Sequence, residues 1–319
     1  SVILLHNKCS TIKEGLIKFN RDSNHELYFH HNQVILFGSA LAEQGIKKQL
    51  DILLRDQQSR LEVPVAVVDG RAEEVLSAEL SQDPITGIFL LGMFEDLGKM
   101  SVEYKVRLID FVTKMLDETT SPTIPIIKVD GEEGKQEISV KGMAVFKHDK
   151  MIGSLGFKES MGYIWTYGNV GRCNVEVFEG EEKAIFEMTE LNCKRDVKLR
   201  KDGGVSVKLK VNASLSINEL IGFQNEKPKE LMTKLADMAK KEIEQTIIKS
   251  FRIAQEMDAD IFEFGTDVYR KYPKEFKSMK NRWSEIFKDI ELDVQVKANV
   301  AATGQIVQSL EMEENMNEN

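Results

Sequence analysis

Lys201-Asp202-Gly203-Gly204-Val205-Ser206-Val207-Lys208-Leu209-Lys210-Val211-Asn212-Ala213-Ser214-Leu215 decides the fold class of this chain. Val205, Val207, Leu209, Val211, Ala213 and Leu215 are apolar at every second position with polar residues between them, the mark of a strand with one buried and one wet face. Ala184 to Leu199 flanks the same Asp-Gly on its other side. Asp-Gly supplies positive φ at little cost, so the two runs are predicted to form a long β-hairpin closed by a tight primed turn.

Downstream of the hairpin, Pro228 opens a long helix. Pro is tolerated at the first helical position, and Leu231, Leu235, Met238, Ala239, Ile243, Ile247, Phe251 and Ala254 form one apolar stripe that ends near Met257. A helix of that length is predicted to lie across a sheet. An aromatic-rich stretch follows, then Pro273 and another helix carrying Phe276, Met279, Trp283 and Phe287. Leu292, Val294, Val296, Ala298 and Val300 restore period two and predict a closing strand. Upstream, Ile138 to Phe146 and Met151 to Leu155 flank His148-Asp149-Lys150 and predict a second hairpin.

The first part of the chain reads differently. An apolar run at Val34 to Phe37 leads through Gly38 to a helical spacing at Leu41, Ile46, Leu50, Leu53 and Leu54, and then to a second run at Val63 to Val68. Strand, helix, strand is the result. Further helices are predicted at Arg71 to Glu79 and Ser101 to Asp117, and a strand at Ile124 to Val129. The expected fold class is α+β: an N-terminal α/β domain at 1–130, a polar, glycine-bearing linker at 131–137, and a C-terminal domain at 138–310 with an antiparallel sheet packed by a long helix. The acidic end, 311–319, is expected to be disordered.

With 319 residues the chain exceeds one ordinary core and suits two domains. Its 42% hydrophobic and 30% charged residues are those of a folded globular protein, and a net charge of −9 opposes binding to nucleic acid. Lys229, Lys234, Lys240, Lys241 and Lys249 are read as the solvated side of the long helix. The apolar stretch from Ile85 to Phe94 is too short to span a bilayer. Cys9, Cys173 and Cys193 show no C-x-x-C spacing, so neither a disulfide framework nor a zinc site is expected, although Cys173 could pair with Cys193 across neighbouring strands.

A search for chemistry returns no catalytic set. His30 and His31 are adjacent, and on a strand they would point to opposite faces and could not share an ion. Glu73-Glu74, Glu132-Glu133 and Glu181-Glu182 sit in polar, turn-like surroundings where nothing would raise a carboxyl pKa. Gly38 follows a strand and precedes a helix, but no G-x-G-x-x-G or G-x-x-x-x-G-K-S/T surrounds it. Phe262, Phe264, Tyr269, Tyr272, Trp283 and Phe287 could line a pocket or a partner surface, and their spacing favours core packing. Expected, then, are no catalytic residues, no cofactor and no metal.

Asp260-Ile261-Phe262-Glu263-Phe264-Gly265, Tyr269-Arg270-Lys271-Tyr272-Pro273 and Trp283-Ser284-Glu285-Ile286-Phe287 come in an order that resembles the C subunits of spore nutrient-germinant receptors, the Ger(x)C lipoproteins. Lys141-Gly142-Met143-Ala144-Val145-Phe146 is similar to the start of that family's C-terminal domain, and Val294 to Gly304 to its last strand. Leu27-Tyr28-Phe29-His30-His31-Asn32-Gln33-Val34 is similar to an N-terminal motif in which His31 precedes Gln33 by two. The resemblance implies a non-catalytic germination subunit, lipid-anchored at the outer face of the spore inner membrane, with membrane-embedded A and transporter-like B subunits as partners. It makes His31, Gln33, Gly142, Phe262, Phe264, Gly265, Tyr272, Pro273, Trp283 and Phe287 the motif residues, structural or partner-facing. The family's lipid-bearing cysteine does not occur here, since Lys8 before Cys9 does not fit a lipobox, so the first domain is expected to be truncated at its start. The alternative is an extracytoplasmic module that captures the germinant near the loop after Phe37.

Overall fold

The computed structural model describes residues 3–22, 31–55, 60–80, 85–132, 134–168, 170–223 and 226–302. The acidic end at 311–319 and His30 lie outside the described residues. Two compact units emerge. The first comprises Ser1–Gly98, Val102–Phe157 and Ala259–Glu263, and the second Lys99–Ser101, Lys158–Asp258 and Phe264–Asn319.

The first unit is built on a sheet of order β1-β2-β3-β4-β5: β1 Ile35–Gly38, β2 Val65–Val68, β3 Thr123–Asp130, β4 Glu137–Lys147 and β5 Lys150–Gly156. β1, β2 and β3 run parallel, and β4 and β5 continue antiparallel. Its helices are α1 Ile12–Asp22, α2 Ser39–Gln44, α3 Lys47–Arg55, α4 Ala72–Leu76, α5 Thr86–Met100 and α6 Leu108–Leu116. Every residue of β2 is buried, as a parallel strand covered on both faces requires. On one face Ala66, Val68 and Ile127 pack with Val75 of α4 and Leu90 and Phe94 of α5. Elsewhere in the unit the rings of Phe111 and Phe146 meet edge to face with centroids 5.1 Å apart.

Several expectations for this half are corrected. The helix predicted from Leu41 to Leu54 is two helices, because Gly45 (φ 118°) turns the chain between them. Asp149 anchors that turn: its carbonyl accepts from Ile46 N (3.0 Å) and its carboxylate from Lys47 N (3.2 Å). The helix predicted over Ser101–Asp117 also divides. Val102–Tyr104 forms a short 3-10 turn, and the chain then runs beside Val63-Pro64-Val65, with Val65 N donating to Val106 O and Leu108 N to Val63 O, both at 2.9 Å, before α6 starts. A tertiary backbone pairing outweighs helical periodicity there. The apolar stretch Ile85 to Phe94, too short to span a bilayer, enters α5 at Thr86.

The segment expected as a linker, 131–137, joins two antiparallel neighbours, β3 and β4. Asp130 pairs with Glu137, and Lys135 N donates to Glu132 O (2.9 Å), so β4 and β5 extend the first sheet although their sequence was assigned to the second domain. The compact units divide at Phe157 and Lys158. A polar, glycine-rich stretch serves a hairpin as well as a linker; what separates the two is strand pairing, which composition does not encode.

The second unit carries a sheet of order β6-β7-β8-β9: β6 Cys173–Glu179, β7 Glu182–Leu199, β8 Val205–Ile221 and β9 Glu291–Ala302. α7 Phe157–Trp165, α8 Pro228–Glu256, α9 Phe264–Lys271, α10 Pro273–Met279 and α11 Trp283–Lys288 complete it. The apolar rows of β8 and the stripe of α8 are buried together, as the spacing predicted. The turn of the long hairpin is not a two-residue primed one. Gly203 N donates to Arg200 O (3.1 Å), Arg200 N donates to Gly204 O (2.8 Å), and only Gly203 takes positive φ (84°), a three-residue turn. Nor is the sheet wholly antiparallel: β9 runs parallel to β8, with Val207 opposite Leu292 and Val211 opposite Val296. The helices between β8 and β9 carry the chain back across the sheet before it re-enters, which is the condition for a parallel pair.

Candidate functional site

The motif residues fall into separate groups. Asn32 and Gln33 line a cleft of about 290 Å³ in the first unit, together with Arg60, Glu62, Pro64, Leu91, Glu95, Lys105 and Arg107. His31 is exposed, outside any strand, and its carbonyl accepts from Gln33 Nε2 (2.9 Å). The charges around the cleft are largely paired: Lys105 with Glu95 (2.5 Å), and Arg107 with both oxygens of Asp110 (2.6 and 2.8 Å). Hydrogen bonds from Arg107 hold Asp110 below the usual carboxylate range. At the turn after Phe37, the alternative place for germinant capture, Ser39 N donates to Gly70 O (3.1 Å) and a side chain at Gly38 would meet the same carbonyl. The backbone at Gly70 thus occupies the space beside that turn.

Gly142 lies in β4, opposite Ile126 on one side and Gly156 on the other. Its φ is 152°, and a Cβ there would run into the carbonyl oxygen of Leu155.

Phe262 and Phe264, two residues apart, serve different units. Ala259–Glu263 is inserted into the first: Ser121 N donates to Asp260 O (3.0 Å), Lys114 pairs with Glu263 (2.9 Å), and the Phe262 ring is fully buried. Asp258 and Glu263, which bound the insert, both take left-handed backbone (φ 56° and 58°), a conformation that costs a non-glycine residue roughly 1–2 kcal/mol. Phe264 and Gly265 open α9 in the second unit, both buried. The Phe264 ring lies 5.9 Å from that of Phe251 on α8, and the Arg195 guanidinium sits 4.9 Å from its centroid. The same guanidinium is 5.4 Å from the Tyr167 ring and pairs with Asp267 (2.5 Å), fastening α9 to β7. Lys271 adds to this, reaching Asp196 (2.6 Å) and the carbonyl of Val197 (2.9 Å).

Tyr272 and Pro273 make the joint between α9 and α10. Tyr272 N donates to Val268 O (2.7 Å), while Pro273, which lacks an N–H, occupies the first position of α10. Trp283 stands 5.7 Å from Phe276, and Phe287 5.6 Å from Phe251. Gln255, near the end of α8, donates its amide to the carbonyls of Phe287 (3.1 Å) and Lys288 (2.8 Å) at the end of α11. Tyr269 is the most open of them, 54% exposed, although its ring lies 5.7 Å from that of Phe276. The helix expected to carry both Phe276 and Phe287 is two, α10 and α11, separated by a 3-10 turn at Lys280–Arg282.

The three cysteines are free thiols. Burial pushes Cys173 and Cys193 up to about 11, so neither is a thiolate nucleophile near neutrality. The folded state keeps their protons while the unfolded chain loses them near 9, so this contribution to stability is complete below pH 9 and is lost as pH rises to about 11. A Cys173→Ala/Cys193→Ala chain is expected to show a shallower alkaline loss in urea titrations. In native protein a thiol reagent should modify exposed Cys9 at once, half-buried Cys193 more slowly, and buried Cys173 only after denaturant is added; rapid reaction of Cys173 would contradict its burial. Among the described residues, no group of three or more His, Cys, Asp or Glu side chains is placed to hold a metal ion, and no helix is long and apolar enough to cross a membrane.

Residues 141–304 match the family described as spore germination B3/GerAC like, C-terminal, and residues 1–129 match the spore germination protein N-terminal domain. The chain belongs to the GerAC-like family of spore germination proteins. Spore germination protein KC of Bacillus subtilis strain 168 is 25% identical, over 92% of this chain and 77% of that protein. Spore germination protein GerQC of Bacillus cereus is 22% identical, over 92% and 80%. The crystal structure of the GerBC protein has the same fold, with a TM-score of 0.68 at 18% identity, over 85% of this chain and 79% of that one. The motif residues of this GerAC-like chain that lie in the second unit are mostly devoted to packing α9, α10 and α11 against α8 and β7. Period and spacing alone could find that core. Its link to β7 through Arg195 gave no sequence signal, because a lone arginine in a strand reads as surface charge.

Proposed function

We propose that this chain is a non-catalytic subunit of a spore germinant receptor, which presents folded surfaces to membrane-embedded A and B subunits and is lipid-anchored at the outer face of the spore inner membrane. The observation that carries this reading is the match of both halves to spore germination families. Supporting it, the family's aromatic signature, Tyr269 apart, is largely committed to packing, and the thiols of Cys173 and Cys193 are held in their protonated form near neutrality. A subunit of this kind acts by what its surface holds.

Spores lacking the encoding gene are expected to lose their response to at least one nutrient, and a plasmid copy should restore it. Unchanged germination with every nutrient that triggers the parent strain would sink the proposal. Co-purification of the A and B subunits with the tagged protein from solubilised spore membranes tests the assembly separately.

A further inference from the structure

The face of the second sheet turned away from α8 holds an arrangement that its sequence pattern left as plain wet surface. In register, Lys194 of β7 stands opposite Lys210 of β8, which stands opposite Gln295 of β9. The next row is Asn192, Asn212 and Lys297. All six side chains are exposed. Two adjacent rows therefore offer three ammonium groups and three primary amides without one carboxylate, in a protein whose net charge is −9.

Like charges placed directly opposite each other on a sheet are destabilising. One row away the same face neutralises its lysines: Lys208 pairs with Asp293 (2.8 Å), and Asp196 is held by Lys271 (2.6 Å). Among the described residues, Lys194, Lys210 and Lys297 have no ion-pair partner within 4 Å. The Asp196 carboxylate one row away offsets part of the repulsion at Lys210, and what remains between Lys194 and Lys210 is a cost that an incoming anion would relieve.

We propose that these two rows dock an acidic segment of a partner protein, whose carboxylates are received by Lys194, Lys210 and Lys297 while Asn192 and Asn212 donate their amide hydrogens and Gln295 the one that Asp293 does not take (3.3 Å). The patch is three strands, or about 10 Å, wide, and its rows are about 7 Å apart along the strands. Same-side carboxylates at alternate positions of an extended segment have that spacing of about 7 Å. A lipid surface fits less well. Each lysine near an anionic bilayer gains only about 1 kcal/mol, and a protein of net charge −9 is repelled by the same field. No large apolar side chain stands in these rows to insert among acyl chains. The proposal deepens the interaction reading above by naming a face, and it can fail alone, since it is measured on the isolated chain.

Fluorescein-labelled hexaglutamate is titrated with the full 319-residue chain and followed by anisotropy at low and high salt. Saturable binding that weakens with salt is expected, with at least a tenfold loss in Lys194→Gln/Lys210→Gln/Lys297→Gln. A control of equal charge change on α8, Lys229→Gln/Lys240→Gln/Lys241→Gln, should lose less than threefold. Because the three sheet lysines are exposed and mutually repelling, the first variant should melt no lower than the parent, so its loss is not unfolding. Equal losses in both variants would show that net charge alone is sensed. Undiminished binding by the sheet variant, or no binding by the parent chain, would overturn the proposal. Co-sedimentation with phosphatidylglycerol vesicles that is abolished by the sheet substitutions, without hexaglutamate binding, would assign the face to lipid and overturn it too.

Discussion

Phe264→Ala is expected to lower the unfolding free energy by about 3–5 kcal/mol, the usual cost of emptying a buried phenylalanine site. The ring is 0% exposed and has Phe251 on one side and the Arg195 guanidinium on another. Alanine removes contact area, leaves a void between α8 and α9, and takes away the ring against which Arg195 is held while it pairs with Asp267. A partly buried ion pair deprived of its packing is exposed to water and weakened. Urea titration followed by circular dichroism gives the number; a loss below about 1 kcal/mol would mean that the site is not the packed one described. Phe264→Leu separates structure from function. It restores most of the volume and should recover most of the stability. If that variant folds normally yet fails to restore germination, the ring has a role beyond the core.

Gly142→Ala is expected to cost about 2–4 kcal/mol, from left-handed strain together with overpacking. At φ 152° an L side chain is strained, and the new Cβ meets the Leu155 carbonyl, so β5 must move away from β4. Gly203→Ala provides the internal standard. Its φ is 84°, but a Cβ there meets nothing within 4 Å, so only the conformational cost of about 1–2 kcal/mol remains. Equal costs at the two positions would show that the contact with Leu155 does not matter.

Much of the local architecture is legible from residue spacing. The alternation in β8 and β9 and the stripe of α8 state which side chains face inward, because burial depends on periods of 2 and 3.6 that the chain carries within each element. Pro228 and Pro273 mark helix starts for an equally local reason: the first turn needs no N–H from them. The motif from Asp260 to Phe287 lies within the 141–304 match to the GerAC-like family and resembles that family on its own.

Other features exist only once distant segments meet. Nothing local in 137–156 says that those strands continue the first sheet, since a hairpin's alternation is the same whichever strand it joins. The parallel direction of β9 follows from where the intervening helices return the chain, and the breaks near Gly45 and Lys105 from backbone pairing with Asp149 and with Val63 to Val65. The same holds for the two faces of the Asp260–Gly265 motif, one side chain committed to each unit. Local order along the chain carries the buried faces of β8, β9 and α8 and the motif that points to the family, because periodicity and short motifs are short-range properties. The tertiary structure alone decided that Lys194, Lys210 and Lys297 share two rows, because cross-strand register is set by the packing of the whole sheet and not by any one of its strands.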